Sequence, residues 1–280
     1  MSSPSPIRGD PACPHCLGLG YVVAPGGPYA QASLCDCVPT CALCGGTGQR
    51  RVEHGGRVRV GRCRCRMLPD RIELFNRANI PARHAGSSFL SFRTEENPDA
   101  EGLRANCLEW VREYRPREEN KGLILFGDVG RGKTHLLVAM LRELTLERGV
   151  EARFVEFSHL LSQLKEGYDL GTGEATTLTP LIRVPLLAID ELGKGRGTEW
   201  ELGIIDQVVS HRYNTLGTIL ATTNYRPTSA TGRAVPNNAE PGNPPTLGDR
   251  VGDRVLSRLR EMCLVSRVSG DDYRPRMGLR

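Results

Sequence analysis

Gly127, Asp128, Val129, Gly130, Arg131, Gly132, Lys133 and Thr134 follow one another with the spacing G-x4-G-K-T. Glycines so placed let backbone amides wrap a phosphate chain, the lysine reaches the β/γ oxygens, and the threonine hydroxyl ligates Mg2+. We take these residues, with His135 directly after them, as candidate ATP contacts. Asp190 and Glu191 close a later apolar run. An acid pair in that position can divide the work: Asp190 holds Mg2+ through water, as Thr134 does directly, and Glu191 polarises the attacking water. Asn224 ends a third apolar run. Its amide could orient the same water, although an Asn after a strand is also an ordinary turn opener. Arg250, Arg254 and Arg258 recur every fourth residue. On one helix they would share a face, which is either solvated or offered to a neighbouring subunit's γ-phosphate.

The cysteines make a second pattern. Cys13, Cys16, Cys35 and Cys37 recur at a constant offset of 28 as Cys41, Cys44, Cys63 and Cys65, and Gly18 and Gly20 recur as Gly46 and Gly48. Each copy reads C-x2-C-x-G-x-G, then a loop, then C-x-C, with 18 residues between the two cysteine pairs. Four thiolates per copy fill one tetrahedral Zn2+ site, and the glycines let the backbone turn and aim amides at sulfur. So short a unit lacks an adequate apolar core, and metal would supply much of its folding free energy. Redox-active pairs are the other reading of these cysteines. His15 and His54 could replace a ligand but are read as spectators, and Cys107 and Cys263 as core residues. The C-x2-C-x-G-x-G segments resemble the knuckles of the DnaJ cysteine-rich domain, except that every second pair here is C-x-C.

Elements must hold these groups in place. Lys121 to Phe126 reads as a buried strand and His135 to Arg148 as the helix after the glycine loop. Val184 to Ile189 and Thr218 to Ala221 read as two more buried strands, delivering Asp190, Glu191 and Asn224 at the carboxyl edge of a sheet, where ligands sit. Leu247 to Met262 reads as a helix with Val251, Val255, Leu256 and Leu259 at core spacing.

The chain has 280 residues, enough for one sizeable core and a second small unit. It has no long apolar run and no signal-peptide pattern at its start, so we expect a cytoplasmic protein without membrane contact. In a reducing compartment ten cysteines favour metal over disulfides. Residues 1–68 hold eight Arg and three acids, whereas residues 69–280 hold 29 basic and 29 acidic residues. The excess concentrates in the second copy, where Arg50, Arg51, Arg57, Arg59, Arg62, Arg64 and Arg66 face one acid. With a Zn(Cys)4 centre counted at −2, the first copy is net negative and the second net positive. That arginine stretch is either a nucleic-acid contact or a solvated face compensating the thiolates.

A family resemblance rests on ANIPARH (Ala78 to His84) with Ser88 and Phe89, GDVGRGKTHL, LLAIDELG (Leu186 to Gly193), HRY (His211 to Tyr213), TTNY, DRVLSRL (Asp253 to Leu259) and GDDYR (Gly270 to Arg274). In this order they resemble the DnaC/DnaI helicase loaders and the related IstB transposition helpers, which are AAA+ ATPases. The resemblance implies that Asn224 is a sensor and Arg258 an arginine finger acting in trans within a homo-oligomer. It gives Arg254 a helper's place and Arg274 that of a late sensor. It also puts Ile80 to Phe89 near the adenine and His159 to Leu178 opposite single-stranded DNA. Gly and Thr here replace the loaders' charged helix, so Lys165 and Tyr168 are the contacts left.

These readings predict a duplicated zinc-binding module at 1–68, with units at about 13–37 and 41–65, and a linker at 69–98. An α/β P-loop NTPase (AAA+) domain with a central parallel sheet follows at 99–280, interrupted by a disordered Pro/Gly-rich loop at 226–248. Expected cofactors are ATP, Mg2+ and two Zn2+. The resemblance implies an ATPase of DNA replication that deposits a replicative helicase on single-stranded DNA. The alternatives are a transposition helper on duplex DNA, or a non-hydrolysing, ATP-ordered zinc adaptor.

Overall fold

The structure, a computed structural model, describes residues 8–54, 57–94, 98–171, 173–227, 245–270 and 272. The chain divides by contact into two units, Met1–Gly86 with Glu143–Val150, and Ser87–Arg142 with Glu151–Arg280.

In the first unit each cysteine repeat builds a two-stranded antiparallel ribbon: β1 (Tyr21–Gly26) with β2 (Tyr29–Leu34), and β3 (Gln49–His54) with β4 (Arg57–Arg62). Helix α1 (Met67–Arg77) then buries Ile72 and Phe75, followed by buried Ala78 and Ile80. Residues 69–98, expected to be a linker, thus include most of a helix. Two backbone bonds, Ala30 N to Ile80 O (2.7 Å) and Ala82 N to Pro28 O (3.0 Å), bind this stretch to the first ribbon. Glu143–Glu147 is a π-helical turn of the same unit, and its Glu147 accepts a 2.7 Å bond from the Tyr21 hydroxyl.

The second unit opens with α2 (Pro98–Glu113) and alternates strand and helix thereafter: β5 (Gly122–Phe126), α3 (Lys133–Arg142), β6 (Ala152–Glu156), α4 (Phe157–Asp169), α5 (Glu174–Arg183), β7 (Leu186–Asp190), α6 (Glu199–Asn214) and β8 (Thr218–Thr223). The predicted helix from His135 to Arg148 keeps α geometry only to Arg142. Leu247 to Met262 is not one helix either. It breaks into α7 (Leu247–Val251) and α8 (Asp253–Met262) at Gly252, whose φ of 84° no helix interior accommodates. Strand β9 (Cys263–Arg267) ends the sheet, ordered β6-β7-β8-β5-β9 and parallel throughout. β5 and β7 are apolar runs because helices cover both faces of a parallel sheet. Insertion of β8 between them sets the ends of all three strands side by side.

Arg212, in the HRY motif, is fully buried. Its guanidinium donates to the carbonyls of Leu181, Val184, Pro185 and Thr218 at 2.6–3.1 Å, closing the end of α5 onto β8. Burial lowers its pKa to about 10, which still leaves it charged at neutral pH. Cys107 and Cys263 are buried as expected, and burial pushes both thiols up to about 12. Residues 228–244 lie outside the described ones. The two ends of the insertion meet in a parallel bridge between Arg226 and Thr246, and Thr246 caps α7. Among the described residues no helix is long and apolar enough to cross a membrane.

Candidate nucleotide-binding site and metal centres

Strand β5 stops at Phe126, and residues 127–132 turn the chain into α3, so the first amides of that helix and its positive end point at one spot. Gly130 and Gly132 have φ of 82° and 83°. A Cβ on Gly132 would meet Phe92 at 2.8 Å, and one on Gly130 would strike the Asp272 carboxylate. Lys133 is buried, and its Nζ donates to the carbonyls of Gly127 (2.8 Å) and Asp128 (2.7 Å), holding the ammonium inside the loop. Asp128 pairs with Arg131, and Val129 is half exposed.

Across the sheet edge the Thr134 hydroxyl donates to Asp190 at 2.9 Å. The Thr222 hydroxyl donates to the same carboxylate oxygen at 2.5 Å and accepts from the Glu191 amide at 3.0 Å. Burial pushes the Asp190 carboxyl up. The two hydroxyl bonds oppose that, and the nearby Glu191 and Glu156 add to it. A divalent cation between Thr134 and Asp190 would relieve a buried negative charge, so the residues present fit Mg2+. Glu191 leaves the strand at φ 55°, and its carboxylate pairs with Lys194, which also reaches Glu156 at 3.4 Å. Asn224 is exposed just past β8, between the ends of β5 and β7.

His135 packs against Phe92 with ring centroids 5.5 Å apart, and its Nε2 lies 2.9 Å from the Ser88 carbonyl. Burial lowers its pKa. Of the stretch from Ile80 to Phe89, the part from Ser87 onward thus abuts the loop helix, whereas Ile80 to Gly86 belongs to the first unit. The helix break separates the three arginines expected on one face. Arg250 donates to the carbonyls of Gly193 (3.2 Å) and Gly195 (2.5 Å). Arg258 donates to Asp206 (2.9 Å) and Ser210 on α6 and lies over the Tyr213 ring. Arg254 beside it is 72% exposed. Arg274 lies outside the described residues.

Three further residues escaped the sequence reading. Thr222 was visible only as part of TTNY, and its bridge between Asp190 and Glu191 depends on β7–β8 register. Lys194 follows LLAIDELG, with no spacing signal of its own. Trp200 joins Lys165 and Tyr168: its Nε1 donates to the Tyr168 hydroxyl at 3.2 Å, and Lys165 Nζ lies 5.0 Å from its ring centroid.

In the first unit Cys13, Cys16, Cys35 and Cys37 converge, as do Cys41, Cys44, Cys63 and Cys65, with all ligand atoms of a group within 4.8 Å of one another. Sulfur separations of 3.4 and 3.7 Å in both copies approach the ~3.8 Å edge of a tetrahedron with Zn–S bonds of about 2.3 Å. The donor set therefore fits zinc. Gly48 donates its amide to Cys44 Sγ at 3.3 Å, as expected of a knuckle. Burial works against it, yet that amide and the neighbouring thiols hold Cys44 down at about 6, while burial and Cys44 push Cys65 up to about 12. His15 is exposed and in neither group.

Residues 75–279 match the family described as IstB-like ATP binding protein. The replicative helicase loader DnaC of Escherichia coli K12 is 32% identical over 212 residues, covering 71% of this chain and 77% of that protein. The replicative helicase loader DnaI of Bacillus subtilis is 26% identical over 132 residues, 47% of this chain and 42% of its own. Among solved structures, the crystal structure of the DnaC helicase loader superposes with a TM-score of 0.57 at 27% identity, covering 67% of this chain and 99% of that one. AMPPCP-bound DnaA from Aquifex aeolicus shares the fold at a TM-score of 0.50 and 18% identity, covering 67% and 52%. With its phosphate loop, acidic strand end and parallel sheet in the family's order, the chain belongs to the IstB-like ATP-binding proteins, AAA+ ATPases of the DnaC/DnaI type.

Proposed function

We propose that this protein is a helicase-loading ATPase of DNA replication, which binds Mg-ATP, hydrolyses it slowly and deposits a replicative helicase on single-stranded DNA. The observation that carries the reading is the Thr134–Asp190–Thr222 cluster at the mouth of the phosphate loop. Amides of residues 127–134 and Lys133 take the triphosphate, and Thr134 and Asp190 take Mg2+. Glu191 activates water and Asn224 orients it. Arg258, with Arg254 beside it, serves a neighbouring copy; assembly moves Arg258 off Asp206, and Arg274 completes the set. Trp200, Tyr168 and Lys165 offer single-stranded DNA an aromatic and cationic platform. The helicase as partner is suggested by the similarity to DnaC. Two Zn2+, one per cysteine group, hold the front module.

Lys133→Ala should weaken Mg-ATP binding by about 10–100-fold, the value of a charge-assisted bond. Glu191→Gln should bind Mg-ATP normally yet turn over about 10²–10⁴ times more slowly. Calorimetry and phosphate release measure the two effects, and helicase unwinding of a forked substrate reports loading. If Glu191→Gln loads helicase and releases it at the wild-type rate, hydrolysis is not the driver.

A further inference from the structure

The two zinc ribbons share their cysteine spacing but not their surroundings. The first is docked: Tyr21, Ala30 and Ala32 are buried, and the Asn76 amide clamps the Ala32 backbone with bonds of 2.7 and 3.0 Å. The second stands out from the unit. Every residue of β4 is exposed except half-buried Gly61, and Arg50, Arg51 and Glu53 of β3 are exposed too. Register then sorts the side chains. Arg50 opposes Gly61 and Val52 opposes Arg59, so Arg50, Arg59 and, by period, Arg57 share one face. Arg51 opposes Val60 and Glu53 opposes Val58, which gives the other face two valines 61% and 69% exposed. Among the described residues Arg62 and Arg66 pair with Asp70, and no ion pair engages Arg50, Arg51, Arg57 or Arg59. Four uncommitted guanidinium groups on a hairpin of 14 residues need more than thiolate compensation to explain them, because the docked copy has the same thiolates and no arginine in its hairpin.

We propose that the β3–β4 ribbon is a docking element for duplex DNA, set in the major groove with its arginines on the phosphates of both strands. The groove admits a two-stranded β-ribbon. Single-stranded DNA is the poorer fit: the span from Gln49 to Arg62 holds no Phe, Tyr or Trp on which a base could stack. Recognition is of backbone and groove shape, with little sequence preference. The duplication thus has a division of labour, one ribbon serving the unit's own core and the other reaching outward.

The test is a titration of the zinc-loaded full chain without ATP against a fluorescent 30-base-pair duplex, its single strand and a polyglutamate chain, over 50–200 mM KCl. Duplex should bind more tightly than single strand. Four phosphate contacts give a log–log salt slope of about −3 to −4, roughly a hundredfold loss over that range. Combined Arg50→Gln, Arg51→Gln, Arg57→Gln and Arg59→Gln should abolish that slope while zinc content and Mg-ATP affinity stay unchanged, which shows both units still folded. Unchanged duplex binding in that variant overturns the proposal. So does equal loss on single strand and duplex, or a variant that loses polyglutamate but keeps DNA, which makes the ribbon a protein dock. Because no nucleotide turns over in this experiment, its failure leaves the ATPase reading standing.

Discussion

Asp190 is a carboxylate that the fold keeps out of water. Burial holds its pKa above the ordinary carboxylate value, and the Thr222 and Thr134 hydroxyls recover only part of that cost. The sign of the pH effect follows. A carboxyl whose folded pKa is raised favours folding at acid pH, and that contribution is lost as pH rises from the unfolded value through the folded one. Mg2+ held there, as proposed, would reverse the preference, since a cation selects the carboxylate. We therefore expect Mg-ATP to raise the Tm more at pH 8 than at pH 5, and Asp190→Asn to remove the difference; thermal melts at the two pH values decide it. A Tm gain from Mg-ATP equal at both pH values would show that Asp190 does not titrate with the metal. The glycine loop and its lysine were legible in the sequence because their chemistry is local: eight adjacent residues make the cradle. Thr222 was not, because it reaches Asp190 only through the register of two strands 32 residues apart at that contact.

At the level of elements, apolar runs bounded by glycine and acid read correctly as β5, β7 and β8, since a strand covered on both faces must be apolar along its length. The arginine helix read less well. Its 3.6-residue pattern runs unbroken through Gly252, and Val251, Val255, Leu256 and Leu259 are all buried as expected. Only a backbone angle betrays the break, at φ 84° and ψ 152°. The break hands Arg250 to the Gly193 and Gly195 carbonyls and leaves Arg254 and Arg258 on α8. That conformation belongs almost wholly to glycine, while a Cβ there would meet no atom within 4 Å. Gly252→Ala should therefore cost about 1–3 kcal/mol through backbone strain alone, lowering the Tm by on the order of 5 °C. Denaturant unfolding measures it, and a variant as stable as wild type would mean that α7 and α8 can fuse into one helix.

Across the whole chain, two stabilisation regimes follow one another. The second unit is held by an extended apolar core that joins the sheet to α4, α5, α6 and α8. The first has little of that kind: apart from α1 and the residues after it, what is buried in its ribbons is largely cysteine. Its extent was hidden in the sequence because Glu143–Val150 joins it from far along the chain. Stability so divided should respond unequally to chelation. Metal analysis of protein purified under reducing conditions should give two Zn per chain, and a strong chelator should then unfold the ribbons, since apo modules of this size lack a sufficient core. Hydrogen exchange will show it: amides of residues 8–54 and 57–66 should lose protection, while β5, β7 and β8 keep theirs and Mg-ATP still binds. Loss of protection in β5 at the same chelator concentration would instead mean that the zinc centres stabilise the motor as well, making the chain one cooperative unit.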